Sequence, residues 1–176
     1  MKKFAAMMLA LAMLFSFAAC GGKTNAPTTA PTEATVKVEG TMEELLNKVI
    51  EIKPVEFMGG TMPIDLADLE GLFYNTGLTS AEGITEAAMF GPMMGSIAYS
   101  MVMVRTAEGA DVKAIAEGMK NGIDTRKWIC VEADDLQVVS YGDVVMLIMV
   151  DSGSGLTSQS FVDAFAQVCG GNVTVY

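Results

Sequence analysis

The chain contains no histidine, and that absence excludes more chemistry than any motif in the sequence offers. Histidine is the usual general base near neutral pH and the commonest transition-metal ligand. Ser-His-Asp and Cys-His catalysis and imidazole-based zinc sites are therefore ruled out. Positive charge is scarce as well, with 11 Lys and Arg against 21 Asp and Glu, a net charge of -10. So acidic a surface repels phosphate backbones and anionic headgroups, which argues against nucleic acid as a partner. Aromatic residues are few, and the only tryptophan is Trp128. Cysteine occurs three times, at Cys20, Cys130 and Cys169.

What is present begins at the N-terminus. Lys2 and Lys3 precede an uncharged run, Phe4 to Ala19, built from Ala, Met, Leu, Phe and one Ser. This is the basic n-region and apolar h-region of an export signal. The run falls short of the ~20 residues a helix needs to cross a bilayer, and small residues rather than a charged stop-transfer segment follow it. Its end, Ser16-Phe17-Ala18-Ala19-Cys20-Gly21-Gly22, resembles the lipobox of bacterial lipoproteins. Ala18 and Ala19 suit a narrow peptidase subsite, and the Cys20 thiol is the nucleophile that takes a diacylglyceryl group. The expectation is a signal peptide over residues 1–19 and lipid attachment at Cys20. The domain is then held at the extracytoplasmic face of the cell membrane, in preference to release by an ordinary secretory cleavage. Losing Lys2 and Lys3 leaves the mature chain more acidic still, so membrane contact is expected through the lipid alone. From Gly21 to about Glu39 the chain is rich in Gly, Thr, Pro and Ala without an apolar period, which predicts a flexible linker over residues 20–39.

Residues 40–176 suit one domain with its own core. Thr41-Met42-Glu43-Glu44 reads as a capping box, opening a helix with Met42, Leu45, Leu46, Val49 and Ile50 on one stripe that stops before Pro54. Gly59-Gly60, Pro63, Gly71, Gly77, Gly83 and Gly91-Pro92 break the next forty or so residues into short pieces. There Leu66 to Tyr74 is ambiguous and Ile84 to Phe90 suggests a strand. Ile97 to Val104 is apolar on both faces and reads as a central strand. Val112, Ile115, Ala116, Met119 and Ile123 follow a helical period ending near Asn121-Gly122. Leu136 to Tyr141 and Val144 to Val150 flank Gly142-Asp143 as a hairpin. A helix from about Thr157 to Cys169 stops at Gly170-Gly171, before a short strand at Val173 to Tyr176. The expected class is α+β, an antiparallel-dominated sheet covered by about three helices. Met101, Met103, Met146 and Met149 sit in strand-like runs and read as core rather than as thioether metal ligands.

The order of these pieces is similar to a domain of small Gram-positive lipoproteins, the domain of unknown function DUF4358. The residues carrying the resemblance are Tyr99-Ser100-Met101-Val102-Met103-Val104-Arg105, Ala110-Asp111-Val112, Arg126 after the helix, and Val138 to Ile148 across the hairpin. It spans about Met42 to Gln167 and implies no reaction, cofactor or catalytic residue.

The candidate sites are weak. Gly153-Ser154-Gly155-Leu156-Thr157-Ser158 lies between strand and helix, but without a third glycine or a Walker lysine it reads as a plain turn rather than a phosphate loop. Asp151-Ser152-Gly153 lacks the acidic positions of a calcium loop. Glu132, Asp134 and Asp135 form a solvated acidic connector in preference to a calcium site. Arg105 and Arg126, flanking the central helix, either grip a ligand carboxylate or pair with local acids, and pairing is favoured. Cys130 and Cys169 either form a disulfide or serve as small apolar core residues, the second favoured because an adequate core needs no such bond. No catalytic residue, metal site or cofactor is expected. The leading expectation is a non-enzymatic interaction module of the cell envelope with an envelope-protein or cell-wall partner. The alternatives are a small ligand-binding lipoprotein serving a transporter and a carboxylate-based cell-wall hydrolase.

Overall fold

The computed structural model describes residues 36–176. The expected signal peptide 1–19, the lipidation site Cys20 and most of the expected linker lie outside the described residues. The chain runs α1 (Met42–Ile52), β1 (Gly59–Pro63), α2 (Leu69–Thr76), β2 (Ile84–Pro92), β3 (Tyr99–Thr106), α3 (Val112–Gly122), β4 (Asp135–Tyr141), β5 (Val144–Val150), α4 (Ser158–Cys169) and β6 (Thr174–Val175). The six strands form one sheet ordered β1-β2-β3-β5-β4-β6, and every pairing is antiparallel. The α+β expectation holds, with α2 as a fourth helix.

The central strands β3 and β5 are buried on both faces, and the sheet's residues alternate between two cores. On one face α1 contributes Met42, Leu45, Leu46 and Val49 and α4 contributes Phe161, Val162, Ala164 and Phe165, packed on Tyr99, Met101, Met103, Met146 and Ile148. On the other face Leu72 of α2 and Ala116 and Met119 of α3 cover Val102, Val104, Val138, Val145, Leu147 and Met149. All seven residues of β5 are buried. At about 1.5–3 kcal/mol for each fully buried large apolar side chain, this hydrophobic double-sided strand anchors the sheet. The four strand methionines named above are fully buried, as their setting predicted.

Local signals account for most element ends. The capping box of α1 is formed in both directions between Thr41 and Glu44. Asp68 and Asp111 accept from Gly71 and Ala114 at the starts of α2 and α3, and Gly170 closes α4 in the left-handed conformation. β2 carries a bulge between Ile84 and Glu86. The extra residue, Thr85, breaks the two-residue alternation, so Ile84 joins the core under α3 while Glu86 turns to the α1 side.

The expected boundary at residue 40 is corrected by the structure. Val38 is buried and packs with the α1 core, and its amide donates to Asp143 Oδ1 at 2.8 Å. The Val36 carbonyl accepts from the Asp143 amide at 2.9 Å. The folded body therefore includes residues 36–39, which composition alone assigned to the linker. Their own apolar residues, Val36 and Val38, find partners far along the chain.

Candidate functional site

Arg105 ends the buried stretch of β3 and faces the start of α1. Its Nη1 donates to Asp143 Oδ2 at 2.7 Å and to the Val38 carbonyl at 2.9 Å. Nε reaches Glu86 Oε2 at 3.4 Å, and Nη2 donates to the Gly40 carbonyl. Glu86 uses its other oxygen to accept from the Met42 amide at 2.8 Å, placing negative charge at the α1 N-terminus. The Arg105 and Asp143 side chains are each only 12% exposed. Arg105 is thus a clamp holding residues 36–42 against the sheet, with its fork occupied by the protein's own acceptors. Pairing, rather than a grip on an external carboxylate, describes it.

Arg126 lies elsewhere, in the connector from α3 to β4. Its Nε meets Glu132 at 3.1 Å with both side chains largely exposed, an arrangement that contributes little to stability. The two arginines do not converge. Beside Arg126 a cavity of about 350 Å³ is lined by Arg126, Trp128, Cys130, Val131 and Glu132. A second, of about 430 Å³, lies at the end of α1 among Lys53, Pro54, Glu56, Phe57, Ile97 and Leu156. Each holds a single carboxylate, so neither presents the facing acid pair that glycoside hydrolysis requires.

The connector contains the group that sequence reading passed over. Lys127 folds inward, its Nζ 4.8 Å from the ring centroid of Tyr74 and 5.5 Å from that of Trp128. It donates to Ser100 Oγ at 3.2 Å and to the Tyr74 carbonyl at 3.3 Å, while the Tyr74 hydroxyl donates to the Lys127 carbonyl at 3.5 Å. Burial pushes its pKa down to about 8, with Asp124 opposing. In sequence Lys127 stood between Arg126 and Trp128 with no periodic signal, and only the fold brings Tyr74 and Ser100 to it.

That shift yields a pH dependence. Between pH 8 and the ordinary lysine value of 10.5 the unfolded chain carries a proton that the folded chain has lost, so stability from this group rises with pH across that window. Below it, the buried ammonium costs its full penalty. Lys127→Met is expected to raise stability at pH 7 by about 1–2 kcal/mol, a figure discounted for solvent screening. The difference from wild type shrinks toward pH 10. Urea unfolding of both chains at pH 7, 8.5 and 10 measures it, and a gap that is constant with pH rejects the assignment.

The acidic connector is structural. Glu132 pairs with Arg126. Asp134 accepts from the Ser152 amide and hydroxyl at 2.7 and 2.6 Å, which holds its carboxyl below the usual range. Asp135 accepts from the Ser158 amide and hydroxyl at 2.7 and 2.5 Å, taking over the start of α4, where Thr157 makes no side-chain cap. The Asp151 carboxylate accepts from the Gly153 amide at 2.8 Å. Three aspartates therefore fill the amides that a phosphate would need, and 151–158 is a strand-to-helix turn. Among the described residues no group of three His, Cys, Asp or Glu is placed to hold a metal ion.

Both remaining cysteines are free: no disulfide joins them, and the reading as small core residues fits Cys169 but is corrected for Cys130. Cys130 is exposed, in the left-handed region at φ 69°, on the connector whose Trp128 and Val131 pack with the α3 core. Cys169 is half-buried and packs with the opposite, α1–α4 core, where burial pushes its thiol up to about 12.

No protein-family model, curated protein or solved structure matches the chain. Fold and site together define a three-layer α+β domain whose N-terminal entry is clamped by an ion pair and whose α3–β4 connector is pinned through a lysine. Among the described residues, no helix is long and apolar enough to cross a membrane.

Proposed function

We propose that the chain is an envelope lipoprotein, lipidated at Cys20, whose folded domain is a non-enzymatic interaction module. The observation that carries this reading is where the domain leaves large apolar side chains exposed. Leu69 and Phe73, one turn apart on α2, are exposed together with Tyr74, and Ile129 is exposed on the neighbouring connector. Lys127 and Tyr74 bind these two segments together from beneath. Exposed aromatic and aliphatic side chains on two segments pinned to each other suit a protein partner. The resemblance to DUF4358 lipoproteins and the lipobox-like segment support the address. A transporter-associated ligand receptor draws less support, because Arg105 faces neither cavity and Arg126, which lines one of them, is largely exposed and paired with Glu132. A carboxylate hydrolase draws least, because among the described residues neither cavity carries two facing acids.

The test is crosslinking in intact envelopes followed by affinity capture, comparing wild type, Phe73→Glu and Cys20→Ala. The expected result is a reproducible crosslinked protein that Phe73→Glu loses while keeping its circular-dichroism spectrum, and incorporation of labelled fatty acid by the wild type that Cys20→Ala abolishes. Recovery of the same proteins with Phe73→Glu rejects the patch. Fatty-acid labelling that survives in Cys20→Ala, or no labelling of the wild type, rejects the anchor.

A further inference from the structure

The paired strands β1 and β2 carry a second feature, on the sheet face opposite α1. In their antiparallel register Met62 stands opposite Met89 and Gly60 opposite Gly91. The Met93 amide donates to the Met58 carbonyl at 3.0 Å, continuing the ladder by one more pair. Directly opposed residues project to the same face, with Cβ atoms about 5 Å apart, and every second pair shares that face. Two methionine pairs therefore flank a glycine pair. The intervening residues face the other way: Thr61 bonds to Asn47 of α1 at 2.6 Å, and a Cβ on Gly59 would meet the Phe90 ring at 2.6 Å.

Met89 is half-buried at the edge of the α2–α3 core, but burial does not explain the others. Met58, Met62, Met93 and the adjoining Met94 are each more than half exposed, and among the described residues they are the only methionines so exposed. The glycines make a floor beneath them. A Cβ at Gly60 would have nothing within 4 Å, and one at Gly91 would meet the terminal methyl of Met89 at 2.7 Å, so the Met89 thioether already leans across the glycine pair toward Met93. Side chains at either glycine would close this trough.

We propose that the trough is a binding site for a soft monovalent cation, Cu(I) or Ag(I), held by the thioethers of Met58, Met89 and Met93 with Met62 or Met94 completing the set. Thioether sulfur is neutral and polarizable and selects Cu(I) over hard divalent ions. The residues that share this face by register, Met58, Gly60, Met62, Met89, Gly91 and Met93, include no imidazole, thiolate or carboxylate of the kind the divalent metals prefer, and the chain has no histidine anywhere. Its net charge of -10 draws cations toward the surface. Thioethers carry no proton to displace, so binding here is independent of pH, in contrast to thiolate or imidazole sites.

The experiment is anaerobic competition for Cu(I) against the chromophoric chelator bicinchoninate, using the full chain with Cys20 and Cys130 replaced by serine so that exposed thiols do not contribute. The expected result is one equivalent of Cu(I) withdrawn with the same affinity at pH 7 and pH 5. Met58→Leu with Met93→Leu, near-isosteric exchanges at exposed positions, should weaken binding at least tenfold, and the buried exchange Met101→Leu should leave it unchanged. X-ray absorption should give a first shell of sulfur only. Failure to compete for Cu(I), equal binding by the Met58→Leu, Met93→Leu chain, affinity that falls between pH 7 and pH 5, or nitrogen and oxygen in the first shell would each overturn the proposal.

Discussion

Asp143→Ala is expected to destabilise the protein by about 3–5 kcal/mol, the cost typical of removing one partner from a buried ion pair. A typical domain has only about 5–15 kcal/mol in total. The reason lies in what Asp143 holds. One carboxylate oxygen accepts from the Val38 amide and the other from Arg105, so alanine strips the Val38 N–H of its acceptor and leaves Arg105 only the longer 3.4 Å contact to Glu86 as ionic partner, at a site where the Arg105 and Asp143 side chains are each 12% exposed. The entry segment should loosen with it, because Val38 loses its polar partner and Arg105 loses the charge that orients its fork toward the Val38 and Gly40 carbonyls. Urea unfolding measures the loss, and hydrogen exchange at the Val38 amide locates it. Arg105→Met should cost less in the Asp143→Ala background than in the wild type, since the two side chains share one contact. A loss under about 1 kcal/mol would place this pair with exposed ones such as Arg126–Glu132 and refute the clamp.

The clamp also marks where sequence reading stopped. Local patterns located α1 from its capping box, α3 from its apolar stripe, the end of α4 from Gly170-Gly171, and the β4–β5 hairpin from Gly142-Asp143, because each of those signals lies within a few residues. Arg105 was legible as a scarce cation and its pairing was the favoured reading, yet its acceptors come from Val38, Glu86 and Asp143, which only the closed sheet gathers. β1 was illegible because Gly59-Gly60-Thr61-Met62-Pro63 has the composition of a turn, and it becomes a strand by pairing with β2. Its glycines read as breakers. In the structure they form the floor between exposed methionines, a role that appears only once the register is known. Lys127 was passed over for a related reason: its aromatic neighbour Tyr74 belongs to α2, the one helix whose pattern was ambiguous.

Gly122→Ala is expected to cost about 3 kcal/mol, at the upper end of ordinary overpacking, although alanine is the better helix former by about 1 kcal/mol. Gly122 is the last residue of α3, where sequence suggested only a stop signal. Its backbone lies against that of Gly77, the left-handed residue that ends α2 at φ 78°. A Cβ at Gly122 would collide with the Gly77 carbonyl oxygen, and one at Gly77 with the Ile123 amide. Backbone atoms cannot swing aside as a side chain can, so the two helix ends must separate. The propensity gain acts on one residue, whereas separation disturbs Leu72, Met119 and Ile123, all in the core beneath α2 and α3. Steric cost should therefore win. Because Lys127 and Tyr74 link α2 to the connector that follows α3, the exposed patch at Phe73 and Ile129 should lose its fixed spacing in the same variant. Thermal unfolding of Gly122→Ala measures the first effect, and crosslinking yield relative to wild type, at a temperature where both chains are folded, measures the second. Unchanged stability would mean that the two backbones need no close contact; lowered stability with full crosslinking would separate the packing of α2 on α3 from the interaction surface.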